Sequence, residues 1–484
     1  VHLLPPRPNE ALYRRVYRSM REAILAGELA PRSRVPSSRT LAREWGVARN
    51  TVLEAVEMLV AEGYLVTREA SGTFVAELLE RERRAPPEGR SPPLALSSWA
   101  RRAIHDRPSA DAGKFDIDFR LGRVPTQLFP SEAWAEALAH RAPELRFGGY
   151  GDELGPLVTR EALAAYLARE RGVHATPDQL MLTSGSQGSL DALARVMLEP
   201  GRVVAMEDPG YVAARRVFEA SGATVVPVPV DEGGLIVEAL PRQATLLYVT
   251  PAHQFPTGAA MSAERRLRTL EWARSAGAWI VEDDYNSEFR FGARPLTALQ
   301  GLAPHAVIFV GTFSKSLAPA LRSGYLVAPQ AVVATLARAR ALTDRQPPTL
   351  DALALADFLE SGAFARHLRV VRDVAEARAN VLLRALQTYL PSWRPTATGA
   401  GLHLHVALPL GSDEADVRWR AASVGVGVSV TSEYGELPRP PGVLIAFAHL
   451  PEHRIREGVE RLAASQAGNS RASHAAEPPS RSST

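Results

Sequence analysis

Six apolar, β-rich runs alternate with helical stretches through the middle of the chain, and this alternation restricts the fold more than any other feature. The runs cover 180–184, 202–207, 224–228, 245–250, 278–283 and 306–312. Strands that alternate with helices predict a mainly parallel sheet with helices on both faces. In such sheets ligands collect at the C-terminal ends of the strands, so the residues just after each run are the ones to inspect.

Those residues are chemically varied. The first run is followed by Gly185-Ser186-Gln187-Gly188, a small-residue turn feeding a helix expected to start near Leu190. Such a turn cradles phosphate. The second run leads to Asp208-Pro209-Gly210-Tyr211, and the fourth to Pro251-Ala252-His253-Gln254-Phe255-Pro256-Thr257-Gly258. Asp283, Asp284 and Tyr285 close the fifth, and Thr312-Phe313-Ser314-Lys315 the sixth, with Arg322 seven residues beyond Lys315. Taken singly, each has an ordinary reading: an Asp that caps a helix, a Tyr that packs a turn, a loop histidine.

Lysine usage sharpens the choice. Of 56 basic residues only Lys114 and Lys315 are lysine, and the rest are arginine. Where guanidinium has replaced ammonium almost everywhere, a surviving lysine is a candidate for chemistry that needs a deprotonatable amine, such as imine formation. Lys114 lies in a polar stretch, whereas Lys315 follows a strand. A pyridine aldehyde carrying a phosphate needs an amine, a carboxylate for the ring nitrogen, an aromatic ring to stack on, a partner for the ring hydroxyl, and a cationic cup rich in N–H groups. Lys315, Asp283, Tyr211, the pair Tyr285 and His253, and the set Ser186, Gln187, Thr312, Arg322 supply these in turn.

The N-terminal segment is of another kind. Leu12, Val16, Met20, Ile24 and Leu25 recur at helical spacing up to Gly27. A second helix opens at Pro36-Ser37-Ser38, with Ser37 or Ser38 as its cap, and closes at Gly46. A third is expected to bury Val52, Val56, Leu59 and Val60 and to stop at Gly63. Residues 64–67 and 73–75 around a Ser71-Gly72 turn read as a hairpin. Three short helices and a hairpin describe a winged helix-turn-helix. Residues 12–76 carry ten Arg against seven acids, so placement argues for DNA better than charge does. Arg34, Ser37, Ser38 and Arg39 gather at the start of the second helix, and Arg49, Asn50 and Thr51 open the third. Helix N-termini receive phosphate, and the first residues of a recognition helix reach base edges.

Residues 35–75, VPSSRTLAREWGVARNTVLEAVEMLVAEGYLVTREASGTFV, resemble the GntR family of winged-helix regulators in the order and spacing of their landmarks. The resemblance implies DNA contacts from Arg39, Arg49, Asn50, Thr51 and the wing residue Gly72; Leu53 stands where several members carry a further Arg. Residues 115–464 resemble the fold-type I, aspartate-aminotransferase-like enzymes that use pyridoxal 5′-phosphate. The order of Tyr150 and Gly155, then GSQ, DPGY, the Pro-Thr-Gly loop, EDDY, the lysine and the trailing Arg is theirs. The whole chain thus resembles MocR-type regulators. That implies a cofactor held by Lys315 as an internal aldimine, with Asp283 on the pyridine nitrogen, Tyr285 on the ring hydroxyl and Tyr211 stacked. It also implies a phosphate held by Thr312, Ser314, Arg322 and the 186–187 turn, with Tyr150 reaching the phosphate of a neighbouring subunit in a homodimer.

Two departures stand out. Phe255 occupies the position before Pro-Thr-Gly where aminotransferases place Asn, and Leu444 stands where they place the Arg that docks a substrate carboxylate. Without that bidentate clamp an amino acid is held loosely. The expectation is a regulator that binds double-stranded DNA at two half-sites and senses the cofactor or an amine effector; a working aminotransferase with an accessory DNA-binding module is the alternative. The expected organisation is a reader over 10–76, a linker over 77–114, the large domain over 115–464, and a disordered tail over 465–484, with a helix around 94–105. Absent cysteine excludes disulfides and thiolate metal sites, and no metal site is expected. With no apolar run of about 18 residues and no signal-peptide core, the expectation is a soluble cytoplasmic protein without a membrane partner.

Overall fold

The structure is a computed structural model that describes residues 2–69, 71–77, 94–104, 114–147, 149–292 and 296–466. It divides into two compact units, Val1–Ala95 and Leu96–Thr484. Most of the 77–114 stretch and the tail beyond Gln466 lie outside the described residues; within that stretch a helix covers Ser98–Ala103.

In the first unit, helices α1 (Leu12–Ala26), α2 (Ser38–Trp45) and α3 (Arg49–Ala61) precede strands β1 (Leu65–Arg68) and β2 (Gly72–Val75). Val16, Met20 and Ile24 recur every fourth residue, so α1 presents one apolar stripe, which packs with Leu41, Val52, Ala55, Leu59, Leu65 and Val75. The buried face of α3 centres on Val52, Ala55 and Leu59, at i, i+3 and i+7; Val56 and Val60, expected in the core, sit half-buried at its edge. Ser37 caps α2, its Oγ accepting from the Thr40 amide at 3.2 Å. The hairpin pairs Leu65 with Val75 and Arg68 with Gly72.

The second unit is built on an eight-stranded sheet. Its strands are β3 (Leu180–Thr183), β4 (Val203–Asp208), β5 (Thr224–Asp231), β6 (Gly234–Leu235), β7 (Leu246–Val249), β8 (Trp279–Asp284), β9 (Val307–Thr312) and β10 (Gly324–Val327). The spatial order is β3-β10-β9-β8-β7-β4-β5-β6. Neighbours from β9 through β8, β7 and β4 to β5 are parallel, and β10 runs antiparallel between β3 and β9. Strand periodicity explains why the runs are apolar throughout. Val204, Met206, Leu246, Tyr248, Val281, Ile308 and Val310 pack on one face against Leu190, Leu193 and Phe218. Ala205, Leu247, Val249, Ile280 and Val307 pack into a different cluster. A sheet covered on both faces needs no polar side.

A smaller sheet contributes to the same unit. Strands β11 (Arg394–Thr396), β12 (His403–Ala407), β13 (Ser429–Val430) and β14 (Gly442–Ala446) are arranged β11-β12-β14-β13. Among the described residues no helix is long and apolar enough to cross a membrane.

Candidate cofactor site and nucleic-acid interface

The C-terminal ends of the large sheet converge on a cavity of about 380 Å³ whose lining includes Ser186, Tyr211, Asp283, Tyr285, Lys315 and Arg322. Strand alternation separates the two aspartates at the end of β8. Asp284 turns away to a buried ion pair, accepting from Arg171 Nε at 2.6 Å. Asp283 lies on the Val281 face, where the hydroxyl of Tyr248 on the neighbouring strand donates to its Oδ2 at 2.6 Å. Its other oxygen, Oδ1, is buried and has no partner. Burial pushes the Asp283 carboxyl up to about 7, against the Tyr248 hydrogen bond and the Lys315 charge, which lower it. Burial pushes the Lys315 ammonium down, opposed by Asp283. A lysine so shifted exposes its free amine more readily than one in water.

The opposite end of the cavity is an anion cup. The helix α4 (Ser186–Met197) begins at Ser186, four residues earlier than its first core position Leu190 suggests, because its N-cap, Gly185, has no side chain to signal it. Ser186 and Gln187 are therefore its first two residues, whose amides have no partner within the helix. The Arg322 guanidinium lies across this start, donating to Ser184 O at 2.7 Å. Thr312 Oγ1 accepts from the Ser314 amide at 3.1 Å and donates to Ser314 Oγ at 3.0 Å, which fixes both hydroxyls at the rim. Partial positive charge at the helix end and a guanidinium together favour phosphate.

Tyr211 caps the helix that follows β4, and its hydroxyl donates to Gln187 Oε1 at 3.5 Å. Tyr285 lines the cavity with a buried hydroxyl that finds no partner, and burial raises its pKa well above the ordinary phenol value. His253, grouped with Tyr285 for the ring hydroxyl, does not line this cavity. Its ring packs edge-on against Tyr285 at 5.9 Å and against His403 at 5.7 Å, and it faces a neighbouring cleft. His403 and Phe255 take the cavity wall instead. Tyr150 lies outside the cavity too, 78% exposed with the Arg345 guanidinium 4.6 Å over its ring.

Several lining residues escaped the sequence reading: Tyr248, Asn286, His403, Arg123 and Tyr434. Asn286 follows EDDY directly, and both its amide atoms are buried without a partner. Arg123 is paired with Asp118. Leu444, at the expected clamp position, is fully buried on β14 opposite His405 and Ser429.

In the N-terminal unit the structure brings the candidate DNA residues together in two places. Arg49 at the start of α3 donates to Ser38 Oγ at the start of α2, 3.3 Å away. Arg39, Arg49 and Asn50 are exposed, while Ser38 and Thr51 are half-buried. Arg34 packs against the wing: a Cβ on Gly72, whose φ is +104°, would come within 3.0 Å of Arg34 Nε. Gly72 thus lets Arg34 cross the hairpin, while the Ser37 hydroxyl is engaged with Thr40.

A winged helix-turn-helix in one unit and a lysine-centred cavity in the other, mainly parallel α/β unit define the class: a DNA-binding module joined in one chain to a pyridoxal-phosphate-type transferase fold. The aminotransferase class I and II family pattern matches residues 117–462, and the bacterial gntR regulatory family matches residues 12–75. The chain is 36% identical over 470 residues to the probable rhizopine catabolism regulatory protein MocR of Rhizobium meliloti, covering 93% of each. It is 30% identical over 460 residues to the pyridoxine biosynthesis regulator PdxR of Corynebacterium glutamicum, covering 94% of this chain and 95% of that one. Among solved structures, the kynurenine aminotransferase of Pyrococcus horikoshii aligns with a TM-score of 0.69 at 28% identity, over 74% of this chain and 92% of that one. The chain belongs to the MocR-type regulators, a gntR-family winged helix fused to an aminotransferase class I and II domain. The cofactor of this domain is pyridoxal 5′-phosphate. The cavity suits it: a bare carboxylate oxygen, a bare phenol hydroxyl, a shifted lysine and an anion cup occur together.

Proposed function

We propose that this chain is a transcription regulator whose large domain holds pyridoxal phosphate and uses it to sense the cofactor itself or an amine effector, with vitamin B6 sensing preferred. Bound there, the cofactor supplies a carbonyl that captures amines and a ring that accepts electron density. Lys315 offers the amine, its pKa lowered by burial against the opposing charge of Asp283. Asp283 presents Oδ1 to the ring nitrogen, and Tyr248 acts as a positioning residue by fixing Oδ2. Tyr285 donates to the ring hydroxyl, and Tyr211 covers the ring. The α4 start, Thr312, Ser314 and Arg322 hold the phosphate. Exposed Arg39, Arg49 and Asn50 and half-buried Thr51, with Arg34 at the wing and Ser38 beside Arg49, meet operator DNA. The working unit is a homodimer on two half-sites, with Tyr150 placed for the partner's phosphate.

The single observation that carries this reading is a cavity that gathers Lys315, Asp283, Tyr285 and Arg322, while Leu444, at the expected clamp position, is buried and Arg123 is paired with Asp118. Retention of cofactor with weak purchase on amino acids suits sensing more than turnover. The similarity to a pyridoxine biosynthesis regulator supports the preference for vitamin B6. The test is a gel shift of the full chain on its own promoter DNA with and without pyridoxal phosphate, beside a keto-acid panel. A cofactor-dependent shift without turnover is expected. Operator affinity indifferent to the cofactor, with turnover of an amino acid, would hand the case to the aminotransferase reading.

A further inference from the structure

A second cavity, larger than the first at about 660 Å³, opens on the other side of the 252–258 loop. That is within the range of sites that enclose small organic ligands. Its walls are mostly short apolar side chains, among them Pro209, Val230, Ala259, Ala397 and Pro440. Into these walls are set a few polar groups of uneven status. His405 is satisfied at both ring nitrogens, by Thr396 Oγ1 at 3.0 Å and Thr431 Oγ1 at 3.2 Å. Asp231 is held by Arg265 at 2.7 Å, and Glu232 is exposed beside it. Arg439 spends its terminal nitrogens on Asp208 and on the Leu437 and Gly435 carbonyls, but its Nε is buried without a partner. The backbone of Arg290 bridges Ala400, and its side chain makes no hydrogen bond or ion pair with any described residue. His253, 4% exposed, has a bare Nε2.

A guanidinium without a counter-ion, at the edge of an apolar cleft, is complementary to a carboxylate on an apolar body. We propose that this cleft is a second small-molecule site, distinct from the Lys315 cavity, that takes an apolar-bodied monocarboxylate with its head group on Arg290. The site bears on the cofactor cavity through a shared wall. The 252–258 loop gives Phe255 to one side and Thr257 and Gly258 to the other. His253 leans on Tyr285 and His403, which line the cofactor side. The wall is tightly built: a Cβ on Gly401 would come within 2.8 Å of His253 Nε2 and 3.0 Å of Asn286 Nδ2. A ligand that shifts His253 therefore shifts the groups around the cofactor, and the linkage runs both ways.

The experiment is calorimetric titration of the full chain with 3-phenylpropionate in two forms. One is loaded with pyridoxal phosphate and reduced with borohydride, so the first cavity is filled and cannot exchange. The other is Lys315→Ala, which needs no adduct, so a failed cofactor assignment leaves this arm intact. One molecule should bind each form, with affinities that differ by the linkage between the two sites. Arg290→Gln should weaken binding at least tenfold, and 3-phenylpropanol, with the same body and no charge, should bind at least tenfold more weakly to the parent forms. Ala260→Trp, at an exposed lining position that tolerates bulk, should abolish binding with an unchanged melting curve. No binding to either form, binding lost on reduction, or binding indifferent to both substitutions would overturn the proposal.

Discussion

Arg39, Arg49 and Asn50 stand in solvent at helix starts in the N-terminal unit, whereas in the large unit Asp283 Oδ1 and the Tyr285 hydroxyl are buried oxygens that find no partner. The two arrangements suit different ligands. A nucleic acid is a surface of repeated charges, met by several weak exposed contacts whose losses are partial. A small cofactor is enclosed, and each buried group left unpaired without it carries a desolvation cost that the ligand relieves. Loss of one exposed contact should therefore be graded, and loss of one enclosed group nearly complete.

The sharpest way to break that contrast is Lys315→Ala. The borohydride-reducible adduct should vanish entirely, read by absorbance and by mass, with operator binding of the cofactor-free protein unchanged. A surviving adduct would move the chemistry to Lys114 or elsewhere. The next effect concerns pH. Burial raises Asp283 to about 7, above the roughly 3.9 of an unfolded Asp. The folded state therefore holds that proton more tightly. The stability so gained is whole below about pH 4 and is lost as pH rises towards 7. Relative to Asp283→Asn, the cofactor-free wild type should lose melting temperature across that window; parallel curves would show Asp283 to be better solvated than its burial implies.

Leu59→Ala tests whether the small unit's surface chemistry depends on its core. Leu59 is fully buried, and truncation should cost about 2–5 kcal/mol, with operator binding falling and cofactor absorbance kept. Equal loss of both would mean that the units do not fold as separately as their cores suggest. The smallest effect is Arg49→Ala, which should weaken operator binding by about 1–3 kcal/mol if it reads a base, with the cofactor still bound. An unchanged footprint would remove α3 as the recognition element.

The sequence determined what depends on backbone period and chain neighbours. Apolar runs of strand length gave the parallel strands, four-residue spacing gave α1, and the position of Asp283, Tyr285, Thr312 and Lys315 at strand ends followed from the sheet itself. Local signals failed where a side chain gives none. Gly185 caps α4 with no side chain to mark the start, so local sequence points to a later one, and β10, antiparallel among parallel strands, has no mark in its own four residues. Only the tertiary structure decided which distant segments meet. It set Tyr248 against Asp283 across two strands, brought Arg123, His403 and Tyr434 to the cofactor cavity, and turned His253 to the opposite side of the 252–258 wall. The physical reason is that periodicity fixes the direction of a side chain relative to its own backbone. Its partners are fixed by the packing of elements scores of residues apart, and no window of sequence contains them.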